Sequence, residues 1–148
     1  MRVNRHSIMV RSGPQALLPQ IVAWGEAAWW PRGSLMRFVR LTPGAVGVGT
    51  RYRQKVRLPF APSWEAAVTE VGAQSITRSF LDGMFSGSET VSVRQEAGGT
   101  RVTYEMRYEV RGAGNRLMWS LVFRHLHNAN IRRILKNLKR HGEQAGAR

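Results

Sequence analysis

Cysteine is absent from this 148-residue chain. That excludes disulfides, thiolate nucleophiles and thiolate metal sites, and it fits a cytoplasmic protein. Long apolar runs are missing as well: no window approaches the roughly 18 uninterrupted apolar residues of a membrane-spanning helix. The opening "MRVNRHSIMV" alternates like a strand and lacks the apolar core of a signal peptide, which again points to the cytoplasm. Acidic residues are scarce. Nine Asp and Glu stand against 23 Lys and Arg, with arginine far in excess of lysine, for a net charge of +14. Such a field draws phosphate-bearing partners, either nucleic acid or anionic lipid headgroups. The charge is spread along the chain rather than gathered in a tail, which weighs against nucleic acid. Catalytic motifs are missing too: there is no G-x-S-x-G, no phosphate loop and no Cys/His cluster. The glycine-rich "GVGTRYR" leads into a strand rather than a helix, so no dinucleotide or other cofactor is expected.

What is present is a succession of short alternating segments. "GGTRVTYEMRYEV" places Val102, Tyr104, Met106, Tyr108 and Val110 on one face and charged or polar residues on the other, the period of a half-covered strand. Residues 3–11 read the same way. Turn signals "TPGAVG", "PFAP", "VGAQ", "LDGM" and "EAGG" separate further strands at about 35–41, 49–58, 63–71, 75–81, 86–96 and 100–111. A helix follows Ser12 and Pro14, with Pro19 expected to split it. "WGEAAWWPRGS" reads as a second short helix or a turn. Residues 116–141 read as one long helix whose closing turns carry Arg132, Arg133, Lys136, Lys139 and Arg140, the favoured sign near a helix C-terminus. A stripe of Trp119, Phe123, Leu126, Ile131, Ile134 and Leu138 suits packing on a sheet. No linker or repeat interrupts the chain, so residues 1–148 are expected to form one domain.

The order of elements and several local phrases resemble the START-like (SRPBCC) superfamily, in particular its polyketide cyclase/dehydrase and lipid-transport branch. The phrases are "VRSGPQALLPQIVAWGEAAWWP", with Trp30 where the family's Trp sits, "VGVGTRYR" and "AGGTRVTYE". The resemblance implies an α+β helix-grip fold: a curved seven-stranded antiparallel sheet wrapped around the C-terminal helix, in the order β–α–α–β6–α. It also implies an enclosed apolar cavity. Family activities diverge between carriage of hydrophobic molecules and polyketide cyclisation, and fold does not choose between them.

Strand parity then names the residues expected on the cavity side. Tyr52, Gln54, Val56 and Leu58 share a face, opposite the wet Arg51, Arg53, Lys55 and Arg57. Trp64 follows on the next strand, and Arg78 and Phe80 on the one after. Glu89 and Val91 line up across the "LDGM" turn from Arg78, so a buried Arg78–Glu89 pair is expected. It reads either as a structural ion pair or, through Arg78, as an anchor for a ligand carboxylate, phenol or keto group. Tyr104, Met106 and Tyr108 complete the sheet side, and Phe123, His127 and Asn130 the helix side. His127, Arg78, Tyr104 and Tyr108 are the candidates for proton transfer, with His6 beside them. For the histidines and tyrosines a structural hydrogen bond, such as His127 to a tyrosine, is the competing reading. His125 and His127 are two apart on a helix and point in different directions, so no metal site is expected.

A second apolar set reads as a portal: Leu58 and Phe60 in "LPFAP", Met84 and Phe85 in "DGMF", and Leu117 and Met118, continued by Leu121 and Val122, on the helix. Arg57, Arg111 and Arg116 lie beside them, which suits an anionic membrane surface. These features give three readings. The first is binding or transfer of a ring-containing or lipid-like hydrophobic molecule. The second is polyketide cyclase or aromatase activity. The third is contact with ribosomes or nucleic acid through the basic surface.

Overall fold

The computed structural model describes residues 1–146. Seven strands form: β1 (Arg2–Val10), β2 (Met36–Arg40), β3 (Arg51–Val56), β4 (Ser63–Val71), β5 (Ser75–Phe80), β6 (Phe85–Glu96) and β7 (Gly99–Val110). They make one antiparallel sheet in the order β1-β7-β6-β5-β4-β3-β2. Each turn signal joins neighbours in the meander, and only β1 crosses over, to pair with β7. The alternation does what its period requires. Val102, Tyr104, Met106, Tyr108 and Val110 are all buried, while Arg107 and Glu109 are exposed. A register shift between Val68 and Glu70 breaks the β4–β5 ladder and helps curl the sheet.

Helix α1 (Pro14–Val22) runs unbroken through Pro19. The expected split does not occur. The lost N–H would have served the carbonyl of Gln15, whose residue is exposed to water. Residues 24–33 take the second of the two forms read for them: they are a string of turns, not a helix, so the order is β–α–β6–α. Those turns gather Trp24, Trp29 and Trp30 edge to edge, with Trp24 also stacked on Tyr104 at 5.9 Å. This aromatic cluster closes one end of the molecule.

The terminal helix is longer than read and has a defect. It comprises α2 (Ala113–Met118), a π-helical stretch (Trp119–Phe123) and α3 (Arg124–Gly146). The basic residues from Arg132 to Arg140 therefore lie well inside it, and the dipole argument for them falls away. They do other work. Lys139 donates to the Met9 carbonyl and to Glu143, and Arg133 donates to the Gly33 carbonyl. Asn137 donates to the Trp29 carbonyl. Ile131, Ile134, Leu135 and Leu138 bury the opposite stripe against the sheet. At Gly142 an added Cβ would sit 2.9 Å from a Leu17 methyl and 3.1 Å from a Val10 methyl, so glycine lets α3 close on α1 and β1.

Candidate functional site: a cavity between sheet and helix

At the other end the helix and sheet part. Trp119 and Phe123 reach the gap because of the π-helical stretch. Steps of four residues drift by about 40° around an α-helix, and a wider turn takes up part of that drift. Both side chains thereby join His127 and Asn130 on one side of a cavity of about 50 Å³. The sheet side is built from Gln54, Trp64, Phe80, Glu89, Tyr104 and Met106. A smaller void of about 20 Å³ lies behind, against the tryptophan cluster, and shares Glu89, Tyr104, His127 and Asn130 as its wall.

Most of the wall is apolar, and its polar groups are linked. Trp64 Nε1 donates to Gln54 Oε1 at 2.6 Å, and Gln54 Nε2 donates to Glu89 Oε1 at 2.9 Å. The Tyr104 hydroxyl donates to Glu89 Oε2 at 2.9 Å. Burial and the neighbouring Glu89 carboxylate hold the Tyr104 phenol well above its usual range. Asn130 is tied to Ser34 and to the Leu35 backbone N–H. His127 differs from these. Its Nε2 is sealed from water without a hydrogen-bond partner among the described residues, and its ring stands 5.8 Å from that of Tyr104 and 5.5 Å from that of Trp119. Burial, with a contribution from His6, pushes it down to about 3, so it is neutral at pH 7.

The residues read from sequence as lining the cavity do not all meet. Gln54, Trp64, Phe80, Glu89, Tyr104, Met106, Phe123, His127 and Asn130 line the cavity. Tyr52, Arg78, Val91 and Tyr108 are buried elsewhere. Tyr108 accepts from Trp119 Nε1 at 2.9 Å and borders an open groove that also contains His125. His6 contacts Asn128 at 3.1 Å. The expected hydrogen bond from His127 to a tyrosine is absent, because Glu89 takes the Tyr104 hydroxyl.

The Arg78–Glu89 expectation also needs correction. The two residues do lie directly opposite in the β5–β6 ladder. Yet Arg78, 0% exposed, turns away from Glu89 toward the closed end, over the faces of Tyr52 at 5.1 Å and Phe38 at 5.9 Å. Its Nη2 donates to the Val22 carbonyl at 3.3 Å, and its Nε and Nη1 have no partner among the described residues. Among the described residues Glu89 has hydrogen-bond donors but no ion-pair partner. Aromatic faces offered Arg78 an alternative to the carboxylate.

Of the portal set, Leu58, Met84 and Phe85 line the cavity, the latter two fully buried. Phe60 is completely exposed, and Leu117 and Met118 lie outside on the helix. Val56, read on the same face as Gln54, lines the space too, and so do Leu35, Met36, Pro62, Trp119 and Leu126, which were not read as lining residues. Trp119 and Leu126 carried a signal in the helix stripe. Leu35 and Met36 sit at the start of the short edge strand β2, and Pro62 in the β3–β4 turn, where alternation gives little signal. The partly exposed Leu58, Pro62, Phe123 and Leu126 mark where the cavity opens.

No protein-family model matches the chain, and no curated protein does at sequence level. Solved structures do match. TTHA0849 of Thermus thermophilus superposes with a TM-score of 0.74 at 18% identity, over 97% of this chain and 99% of its own. A START superfamily protein of Mycobacterium smegmatis gives 0.70 at 13% identity, over 97% and 98%. The di-domain ARO/CYC StfQ of the steffimycin biosynthetic pathway gives 0.74 at 10% identity, over 99% of this chain and 52% of its own. These matches span nearly the whole of this chain, with its sheet curled about a long C-terminal helix: the chain has the START-like helix-grip fold.

Proposed function

We propose that this protein binds a hydrophobic, ring-containing molecule between its sheet and its terminal helix. The observation that carries the reading is the cavity itself, apolar over most of its wall with a few polar groups converging on it. At about 50 Å³ it holds a few waters, whereas an apolar cavity that takes up benzene measures about 150 Å³. A ligand therefore enters by parting the Leu58–Pro62 turn from Trp119 and Phe123, and by displacing the Glu89–Tyr104–His127 wall toward the smaller void. Cyclase chemistry is the weaker reading. It needs a group that exchanges protons near neutrality, and both His127 and Tyr104 are pushed away from that range. Isothermal titration with 4-propylphenol is expected to show one site of micromolar affinity. Met106→Trp, which fills the cavity, is expected to weaken it more than 10-fold; equal binding by that variant would refute the reading.

The open end also fits an anionic membrane surface. Leu58, Pro59, Phe60 and Ala61 form a turn closed by the Ala61 N–H on the Leu58 carbonyl, with Phe60 at φ 61°. A bulky side chain in the left-handed region is strained by about 1–3 kcal/mol, and this one is fully solvent-exposed besides. Leu117 (59% exposed), Met118, Leu121 (64%) and Val122 continue the apolar surface along the helix. Arg57, Arg111, Arg116 and Arg124 are exposed around it, and none has a carboxylate partner among the described residues. Apolar tips amid unpaired arginines favour an interface of acyl chains and anionic headgroups. Vesicles of phosphatidylglycerol and phosphatidylcholine are expected to bind the protein at low salt and release it at high salt. Phe60→Asp combined with Leu121→Asp is expected to weaken binding at least 10-fold. Absence of binding at low salt would refute this docking.

A further inference from the structure

The polar groups on the cavity wall are not neutral toward ligand chemistry. Glu89 is 5% exposed, and it is the one charged side chain among the lining residues. Its two oxygens accept one hydrogen bond each, from Gln54 and Tyr104, and a carboxylate has about four acceptor positions. The natural counter-ion, Arg78 across the ladder, is turned to the Val22 carbonyl and the Tyr52 and Phe38 rings. Arg78 is not on the cavity wall. His127, on the helix side of the cavity, has an Nε2 without a partner among the described residues. Gln54 and Asn130 spend both ends of their amides on protein partners. The space thus offers acceptor capacity at a carboxylate, and no lysine or arginine on its wall.

We infer that the cavity selects rings carrying a hydrogen-bond donor, such as a phenol or an amine, and rejects rings carrying a carboxylate. The inference rests on the binding reading above and names the ligand class of that same site. It reverses the anchor read from sequence, in which Arg78 would have received a ligand carboxylate. A donor placed at Glu89 makes a charge-assisted bond in a dry site, worth about 10- to 100-fold in affinity. A ligand carboxylate brought there meets a like charge from which water is excluded, and its exclusion is selection by repulsion.

Three ligands of one shape test this on the unmodified protein: 4-propylphenol, propylbenzene and 4-propylbenzoate, titrated at pH 7. The phenol is expected to bind at least 10-fold tighter than propylbenzene, with the benzoate at least 100-fold weaker than the phenol. Glu89→Gln, checked for native circular dichroism, is expected to weaken the phenol about 10-fold and to narrow the gap to the benzoate. Phenol and propylbenzene binding alike, or the benzoate binding tightest, would overturn the inference while leaving the cavity a binding site. Binding of none of the three would overturn both. The comparison on the unmodified protein decides the matter even where Glu89→Gln fails to fold.

Discussion

Gly87→Ala is expected to lower the melting temperature by about 10 °C, corresponding to roughly 3 kcal/mol for a domain of this size. Gly87 sits inside β6 opposite Tyr108, at φ 116°, where a side chain is strained in any surroundings. Here the surroundings forbid it as well. An added Cβ would lie 2.0 Å from the Arg107 carbonyl oxygen and 3.0 Å from the Tyr108 Cα. Both are backbone atoms of the partner strand, so no rotamer change relieves the clash and the β6–β7 ladder itself must open. That ladder sets Glu89 opposite Met106 and Val91 opposite Tyr104. The variant is therefore also expected to lose 4-propylphenol binding. A loss below 1 kcal/mol in urea or thermal melts would show that the two strands separate more easily than their register implies.

Acid is expected to destabilise the protein through His127. The ring sits near 6.5 in the unfolded chain and about 3 in the folded one, so between those values the unfolded state binds a proton that the native state refuses. The native state has its full advantage above pH 6.5 and loses about 4 kcal/mol of it by pH 3, a large share of a typical 5–15 kcal/mol. His127→Phe, which keeps the ring and removes the titration, is expected to be about 4 kcal/mol less acid-sensitive over that window. Glu105 and Glu143 are held below the usual carboxylate range by Arg107 and Arg5, and by Lys139 and the Arg11 backbone N–H. Their protonation destabilises both proteins alike in acid and cancels in the comparison. Parallel pH profiles for the two proteins would show that the His127 ring is wetter than its surroundings indicate.

Most of the architecture was legible because it depends on period and punctuation. Strands from β1 to β7 are announced by alternation between turn signals, and the terminal helix by a stripe at 3–4 spacing. Parity correctly assigns the covered face of each strand, as at Gln54, Trp64, Glu89, Tyr104 and Met106. It is silent about position along the grip. Tyr52 and Arg78 share the covered face yet lie toward the tryptophan-capped end, where the sheet closes on α1 and the 24–33 turns. Whether Arg78 would face Glu89 or the Tyr52 ring depends on rotamers that pattern does not encode. The π-helical stretch was equally hidden, since "WSLVF" contains no glycine or proline to mark it. Exposure of Phe60 follows from the turn it occupies, and the "LPFAP" phrase signals that turn without signalling its strain.

The six methionines provide the most direct test of a ligand space between sheet and helix. Met36, Met84 and Met106 line the cavity, whereas Met1 and Met118 are exposed and Met9 lies outside it on β1. In a protein labelled with carbon-13 at the methionine methyls, titration with 4-propylphenol should shift Met36, Met84 and Met106 and leave Met1, Met9 and Met118 in place. Shifts confined to Met118, or none at saturating phenol, would contradict a binding cavity inside the grip.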